Sequence, residues 1–126
     1  MTEKDIQFTV TDWGIDFVPP SGFELNDDNI LSVIDFVVLK AKEAGKFAIL
    51  YDETNVIRKV THFKVIEAVE YFQIIGIKAG LRKQAFLLPL HADTGNVKFI
   101  QNVGFNRGVI MRHFFEKEKA IEWLQE

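Results

Sequence analysis

A pair of short, almost wholly apolar runs, at 47–52 and 85–90, limits this chain to few architectures. Strands that are buried on both faces have this composition, and they occur in parallel sheets that are covered by helices on both sides. The first run ends in Asp52 and Glu53, which Thr54 follows. Because ligands bind at the carboxyl ends of strands in such sheets, this junction is the first place to look for function.

The rest of the chain alternates between strand and helix patterns. Ile6–Val10 and Ile15–Val18 form an opening β-hairpin, which Pro19 and Pro20 end because neither can donate a hydrogen bond to a sheet. Four helices are predicted. The first three run from polar caps at 26–28 to Gly45, from Thr61 to Gly80, and from Asp93 and Thr94 to Gly104. A last strand covers 109–115, and the fourth helix follows over 116–126. The sequence therefore predicts a single α/β domain over 1–126, with a mixed, mainly parallel five-stranded sheet and about four helices.

The composition excludes several classes of function. The net charge of −3 argues against nucleic-acid binding, and the absence of cysteine excludes disulfides, thiolate catalysis and cysteine zinc sites. His62, His91 and His113 lie on different predicted elements without metal-ligand spacing, so no metal and no other cofactor is predicted. The chain has no signal-peptide pattern and no apolar run of about 20 residues, so we expect a soluble, cytoplasmic protein.

Three stretches follow one another in an order known from a protein family. The first stretch, Ser21–Asp28, has a glycine and a leucine before a polar helix start. The second, 47–52, is an apolar strand that ends in aspartate. The third, 109–124, is a closing strand followed by a helix with the pattern E-x-A-x-x-W-L. Together they resemble the STAS domain, and most closely its stand-alone SpoIIAA-like branch, named after the bacterial anti-sigma factor antagonist. The resemblance implies a regulatory or interaction module without catalysis, which works through protein partners or, in some relatives, through small ligands or membrane association.

The chain differs from this family at the position of the regulatory phosphorylation site. Anti-sigma factor antagonists carry a phosphorylatable serine, in an Asp-Ser-x-Gly setting, at the start of the helix after the third strand. The corresponding segment here is 60–63, with the sequence Val-Thr-His-Phe, and Ser21 and Ser32 lie elsewhere. The resemblance thus implies a module that lacks the usual phosphoacceptor serine, unless phosphate on Thr61 or Thr54 replaces it.

Asp52 and Glu53 are candidates for the general acid and base of an enzyme. Neighbouring residues of a strand point to opposite faces, so a shared site requires that the strand has ended before them. The alternative is that Asp52 accepts hydrogen bonds from backbone groups of the loop while Glu53 is solvated. No third polar residue converges on the pair in the sequence, so no catalytic residue is predicted and an enzyme is the least favoured interpretation.

A basic cluster surrounds the start of the second predicted helix, where free backbone N–H groups and the helix dipole favour an anion. A phosphate, a carboxylate or a lipid headgroup is the expected ligand, and a solvated basic face is the alternative. The cluster consists of Arg58, Lys59, His62 and Lys64.

The second predicted helix, 61–79, carries more apolar surface than a single buried stripe needs. Burial against another element is the usual reason, and binding of a partner or a weak homodimer is the alternative that we predict. The first functional hypothesis is therefore a module that binds a protein through the loop 52–61 and this helix. The second is a small-molecule or lipid sensor or carrier, with an apolar pocket and anion recognition near Arg58 and Lys59. A pocket on the order of several hundred Å³ beside these residues favours the second hypothesis.

Overall fold

The computed structural model describes residues 1–92, 94–106 and 110–126. In these residues strands and helices alternate along the chain, after a 3-10 turn at Glu3–Asp5. The strands are β1 (Gln7–Val10), β2 (Ile15–Val18), β3 (Glu24–Asn26), β4 (Ala48–Asp52), β5 (Ile57–Lys59), β6 (Lys83–Leu87) and β7 (Ile110–Phe114). The helices are α1 (Ile30–Ala44), α2 (His62–Lys78), α3 (Thr94–Asn106) and α4 (Lys117–Leu124).

The main sheet has the strand order β1-β2-β4-β6-β7. β1 and β2 pair antiparallel as a hairpin, and the other neighbours pair parallel. Parallel neighbours need crossover connections, and α1, α2 and α3 lie in these connections. Within the described residues, the predicted α/β class is confirmed, with an opening hairpin, a mainly parallel five-stranded sheet and four helices.

The main sheet is covered on both faces, as the apolar run in β4 predicts. Ile49 and Tyr51 belong to the larger core, which α1, α2 and α3 complete. Ala48 and Leu50 point to the opposite face and pack in a smaller cluster with Ala120 of α4. The strand therefore supplies two cores with alternate side chains. The residue that follows β4, Glu53, shares the face of Tyr51.

The hairpin turn between β1 and β2 depends on Gly14. Its φ is +154°, and a Cβ at this position would overlap the carbonyl oxygen of Ala48. The Thr11 hydroxyl accepts a hydrogen bond from the Gly14 N–H at 3.1 Å and donates one to the Gly14 carbonyl at 2.9 Å. Trp13 is partly buried against the smaller cluster that contains Ala120 of α4. The turn thus packs directly on β4.

The predicted strand at 85–90 lies too far along the chain, since β6 spans Lys83–Leu87. Pro89 has no N–H for a strand ladder, and the side chain of Leu90 is 86% exposed. Lys83 is the first residue of the strand, and its Nζ donates to the carbonyls of Trp123 and Glu126, both at 3.0 Å, at the end of α4.

The first helix begins later than its polar residues suggest. Asn26 ends β3, and its side-chain oxygen accepts the N–H groups of Asp28 and Asn29, both at 3.0 Å. This local turn uses the polar side chains that the sequence assigned to the helix cap. α1 starts only at Ile30, and it ends at Gly45 as predicted, with a φ of +66°.

The remaining boundaries differ by a few residues. Thr61 caps α2, as predicted, and accepts the Lys64 N–H at 3.2 Å. α3 continues past Gly104 to Asn106, and α4 is shorter than the predicted 116–126. Asp93 and Val109, predicted as a cap and as the start of the last strand, lie outside the described residues. Among the described helices, none has both the length and the apolar composition to cross a membrane.

Candidate functional site

A second, small sheet pairs β3 with β5 in parallel. Neither strand is predicted from the sequence, which places polar helix caps at 26–28 and a loop at 52–61. The Val56 N–H bonds the Glu53 carbonyl at 3.2 Å and reverses the chain directly after β4. β5 therefore returns across the carboxyl end of β4, which places Arg58 beside Glu53.

Glu53 is buried, not solvated as expected, with only 4% of its surface exposed. Its carboxylate accepts two parallel hydrogen bonds from Arg58, Nε to Oε1 and Nη2 to Oε2, both at 2.9 Å. Burial of the guanidinium favours its neutral form, but the charge and hydrogen bonds of Glu53 outweigh this effect and raise the pKa of Arg58. The two side chains form a bidentate ion pair with no net charge.

Asp52 lies at the end of β4 and points to the other face, away from Glu53. Its Oδ1 accepts hydrogen bonds from the backbone N–H of Thr54 at 3.0 Å and from the Thr54 hydroxyl at 2.6 Å. The predicted alternative for Asp52, a carboxylate that accepts local backbone donors, is therefore confirmed. The structure does not bring Asp52 and Glu53 together as an acid and base pair.

Three of the four basic residues predicted to bind an anion form ion pairs with glutamates. Beside the Arg58–Glu53 pair, Lys59 lies 3.1 Å from Glu24 across the small sheet, and Lys64 forms an ion pair with Glu67. His62 is exposed at the start of α2 and stacks on Phe99, with 4.3 Å between the ring centroids. The arginine and the two lysines of the cluster are therefore each paired with a glutamate.

Thr61 and Thr54, the substitutes for the missing serine, both donate their hydroxyls to carboxylates. The Thr61 hydroxyl and N–H bond the two oxygens of Asp27, each at 2.9 Å. A phosphate on Thr61 would stand directly against the negative charge of Asp27. The two hydrogen bonds from Thr61 to Asp27 link the start of α2 to the segment before α1.

A cavity of about 100 Å³ lies between the main sheet and the helices that cover the larger core. Its lining is almost wholly apolar, and Tyr51, Glu53, Arg58 and Gln84 add polar groups to it. Ala68 contributes a small side chain where a larger one would fill the space. Among the other lining residues are Val33, Val37, Val69, Phe72 and Ile100.

Tyr51 is the residue of this site that the sequence interpretation missed. Its side chain is 7% exposed and lines the cavity, and its hydroxyl is buried without a hydrogen-bond partner among the described residues. Burial raises the pKa of Tyr51 well above its ordinary value of 10.0, Glu53 raises it further, and Arg58 partly offsets both. A polar-tipped aromatic at an inward position of a central strand is the signal that could have identified it.

The pKa of Tyr51 predicts how the stability of the protein depends on alkaline pH. As the pH rises, the phenol of Tyr51 loses its proton in the unfolded state before it does so in the folded state. The contribution of this phenol to the free energy of unfolding is therefore complete below about pH 10 and decreases above it. We expect the free energy of unfolding of the wild type to fall by up to about 1.4 kcal/mol per pH unit more steeply than that of Tyr51→Phe.

Urea unfolding between about pH 9 and pH 11 measures this difference. Lysines also titrate in this range, but they affect both proteins equally and cancel in the comparison. Tyr71→Phe is the comparison, because Tyr71 is the only other tyrosine in the sequence and lies at the surface. Its hydrogen bond to Asp35 also raises its pKa, so we expect a change of slope in the same direction but smaller than that of Tyr51→Phe. Equal slopes for the wild type and Tyr51→Phe would show that the Tyr51 hydroxyl reaches solvent.

No group of three or more metal-ligating side chains occurs in the part of the chain that the structure describes. No family model, curated protein or solved structure matches this chain. The resemblance to the STAS domain therefore stays a prediction from the three quoted stretches.

Proposed function

We propose that this chain is a non-catalytic binding module of the SpoIIAA-like type, which senses or carries a small molecule held in the cavity. The observation that carries this proposal is the Tyr51 hydroxyl, buried at the cavity wall and without a partner in the described ranges. A buried hydroxyl that lacks a hydrogen bond costs about 1–3 kcal/mol, and a ligand in the cavity can supply the missing bond.

The size and lining of the cavity support a small ligand. Protein interiors are close-packed and contain few voids larger than a water molecule. An apolar cavity of about 150 Å³ is sufficient to bind benzene, and the cavity here is of similar order, at about 100 Å³. It falls short of the several hundred Å³ expected for a sensor or carrier of small molecules or lipids, so a lipid does not fit and only a very small molecule does.

The polar residues near the cavity favour binding over catalysis. Both oxygens of Glu53 are held by Arg58, so this carboxylate is not a free base. Asp52 points to the opposite face, and its Oδ1 is bonded to Thr54. General acid and base catalysis needs a positioned group with an available proton site, which neither carboxylate offers at the cavity.

Filling the cavity tests the proposal. Leucine at position 68 adds bulk beside Val69 and Phe72, so Ala68→Leu is expected to weaken binding of benzene, used as a probe, at least about tenfold. The measurement is a titration followed by amide chemical shifts. Ser32→Leu is the matched control, because it adds similar bulk at an exposed position of α1 and should leave binding unchanged. Benzene binding that is absent from the wild type, or equal in wild type and Ala68→Leu, would refute the proposal.

A protein-interaction module is the second candidate, and one side of α2 favours it. Phe63, Ile74 and Ile77 are 82%, 58% and 48% exposed, and their spacing of 11 and 3 residues places them on the same side of the helix. Exposed apolar side chains that share a surface are typical of interfaces. This candidate retains the predicted role of the helix in partner binding or weak pairing of two copies.

Sedimentation equilibrium tests the pairing of two copies. We expect the wild type to form a weak, concentration-dependent dimer, and Phe63→Ser with Ile74→Ser to raise its dissociation constant at least about tenfold. Leu39→Ser serves as the control, since Leu39 is 52% exposed on α1. A wild type that stays monomeric at the highest concentration contradicts self-association through α2.

A further inference from the structure

We infer that the cavity takes a neutral ligand, with a compact apolar body and one polar end that accepts a hydrogen bond, and that it rejects anions. This inference rests on the proposed function, because it names the ligand class of the same cavity. It replaces the anion that the basic cluster suggests in the sequence.

The polar end of the ligand is defined by the groups at one end of the cavity. The Tyr51 hydroxyl has a proton to donate and no acceptor in the described part of the chain. It lies close enough to Glu53 and Arg58 for their charges to act on its pKa, so the polar groups belong to one region. Arg58 lines the cavity as well, and a guanidinium has N–H groups beyond the two that Glu53 accepts. A ligand oxygen in this region would meet hydrogen-bond donors.

The charge of the site excludes an anion. Glu53 compensates the charge of Arg58 through two hydrogen bonds, and Glu24 pairs with Lys59 on the same strand. A carboxylate or phosphate that entered the cavity would lose its hydration and find no uncompensated cation there. A neutral carbonyl, amide or hydroxyl loses far less hydration and gains the bond from Tyr51.

The body of the ligand is limited by the walls. The cavity is lined by aliphatic side chains of α1 and α2 and by Phe72, and its volume of about 100 Å³ admits roughly a single small ring or a short chain. Such a ligand combines an apolar body with one neutral acceptor, as small cyclic ketones and amides do.

Three probes with the same number of non-hydrogen atoms separate these properties: cyclopentanone, methylenecyclopentane and butyrate. We expect the wild type to bind the ketone up to about tenfold more tightly than the alkene, because only the ketone accepts a bond from Tyr51. Butyrate is expected to bind most weakly. Dissociation constants come from amide chemical shifts on titration with each probe.

Two variants assign these preferences to residues. Tyr51→Phe is expected to equalise the ketone and the alkene, whereas Tyr71→Phe, at the surface, should leave their ratio unchanged. Glu53→Gln leaves the Arg58 charge without its counterion, so butyrate is expected to bind at least about tenfold more tightly to it than to the wild type.

Each result has one meaning. Equal binding of ketone and alkene by the wild type, or tightest binding of butyrate, overturns the ligand class while the cavity remains a binding site. Binding of none of the three probes overturns the ligand class and the proposed function together. A ketone preference that survives in Tyr51→Phe overturns the role of the hydroxyl.

Discussion

Replacement of Arg58 by alanine is expected to lower the free energy of unfolding by about 3–5 kcal/mol, because it leaves the Glu53 carboxylate buried without its counterion. Glu53 is 4% exposed, and the guanidinium supplies a hydrogen bond to each of its carboxylate oxygens. Urea unfolding near neutral pH measures the loss.

The neighbouring residue offers a matched control for this prediction. Lys59 is on the same strand and forms an ion pair with Glu24, but both side chains are largely exposed, at 66% and 44%. Lys59→Ala is therefore expected to cost less than about 1 kcal/mol. Glu53→Leu combined with Arg58→Met should recover most of the loss, because an apolar pair of similar volume removes both buried charges. A cost for Arg58→Ala as small as that for Lys59→Ala would contradict the burial of Glu53.

Gly14→Ala is expected to destabilise the protein by about 4 kcal/mol, from backbone strain and from steric overlap, each worth about 1–3 kcal/mol. A φ of +154° is available to glycine and strained for alanine, and the new methyl group would overlap the Ala48 carbonyl, which belongs to the rigid central strand. Thermal and urea unfolding of the variant measure the effect.

Gly45→Ala separates the two causes. Gly45 also has a positive φ, of +66°, but no atom lies within 4 Å of a Cβ built on it. This variant is therefore expected to cost only about 1–2 kcal/mol, the strain of a left-handed conformation in an L-residue. If both variants cost the same, the contact between the hairpin turn and β4 is looser than the structure describes.

The order of the main strands and helices is predictable from the sequence, because each element carries its own periodicity. Ile49 and Leu50 point to different cores, and such a strand is apolar throughout. Thr61 precedes a helical pattern and caps it, as its hydroxyl allows. These signals are local, so each can be recognised from its own segment without knowledge of the rest of the chain.

The small sheet and the site depend on pairings between distant segments, which no local pattern records. Strands of three residues, such as β3 and β5, are too short to show a period. Glu53 is buried because Arg58 returns across the end of β4, and Lys59 is neutralised by Glu24, more than 30 residues earlier in the sequence. The cavity is space that side chains leave unfilled, so a list of residues does not reveal it.

The strand pairing and hydrogen bonds that join α1 to α2 affect how the cavity can change in volume. β3 leads into α1 and β5 into α2, so their pairing joins the two helices at their starts, and Thr61 bonds Asp27 there. Tyr71 bonds Asp35 further along the same two helices. The two helices are therefore linked at two places along their length, and we expect them to move together against the sheet when the cavity volume changes. We therefore expect the space available to a ligand to depend on the position of both helices together, on the time scale of collective motions.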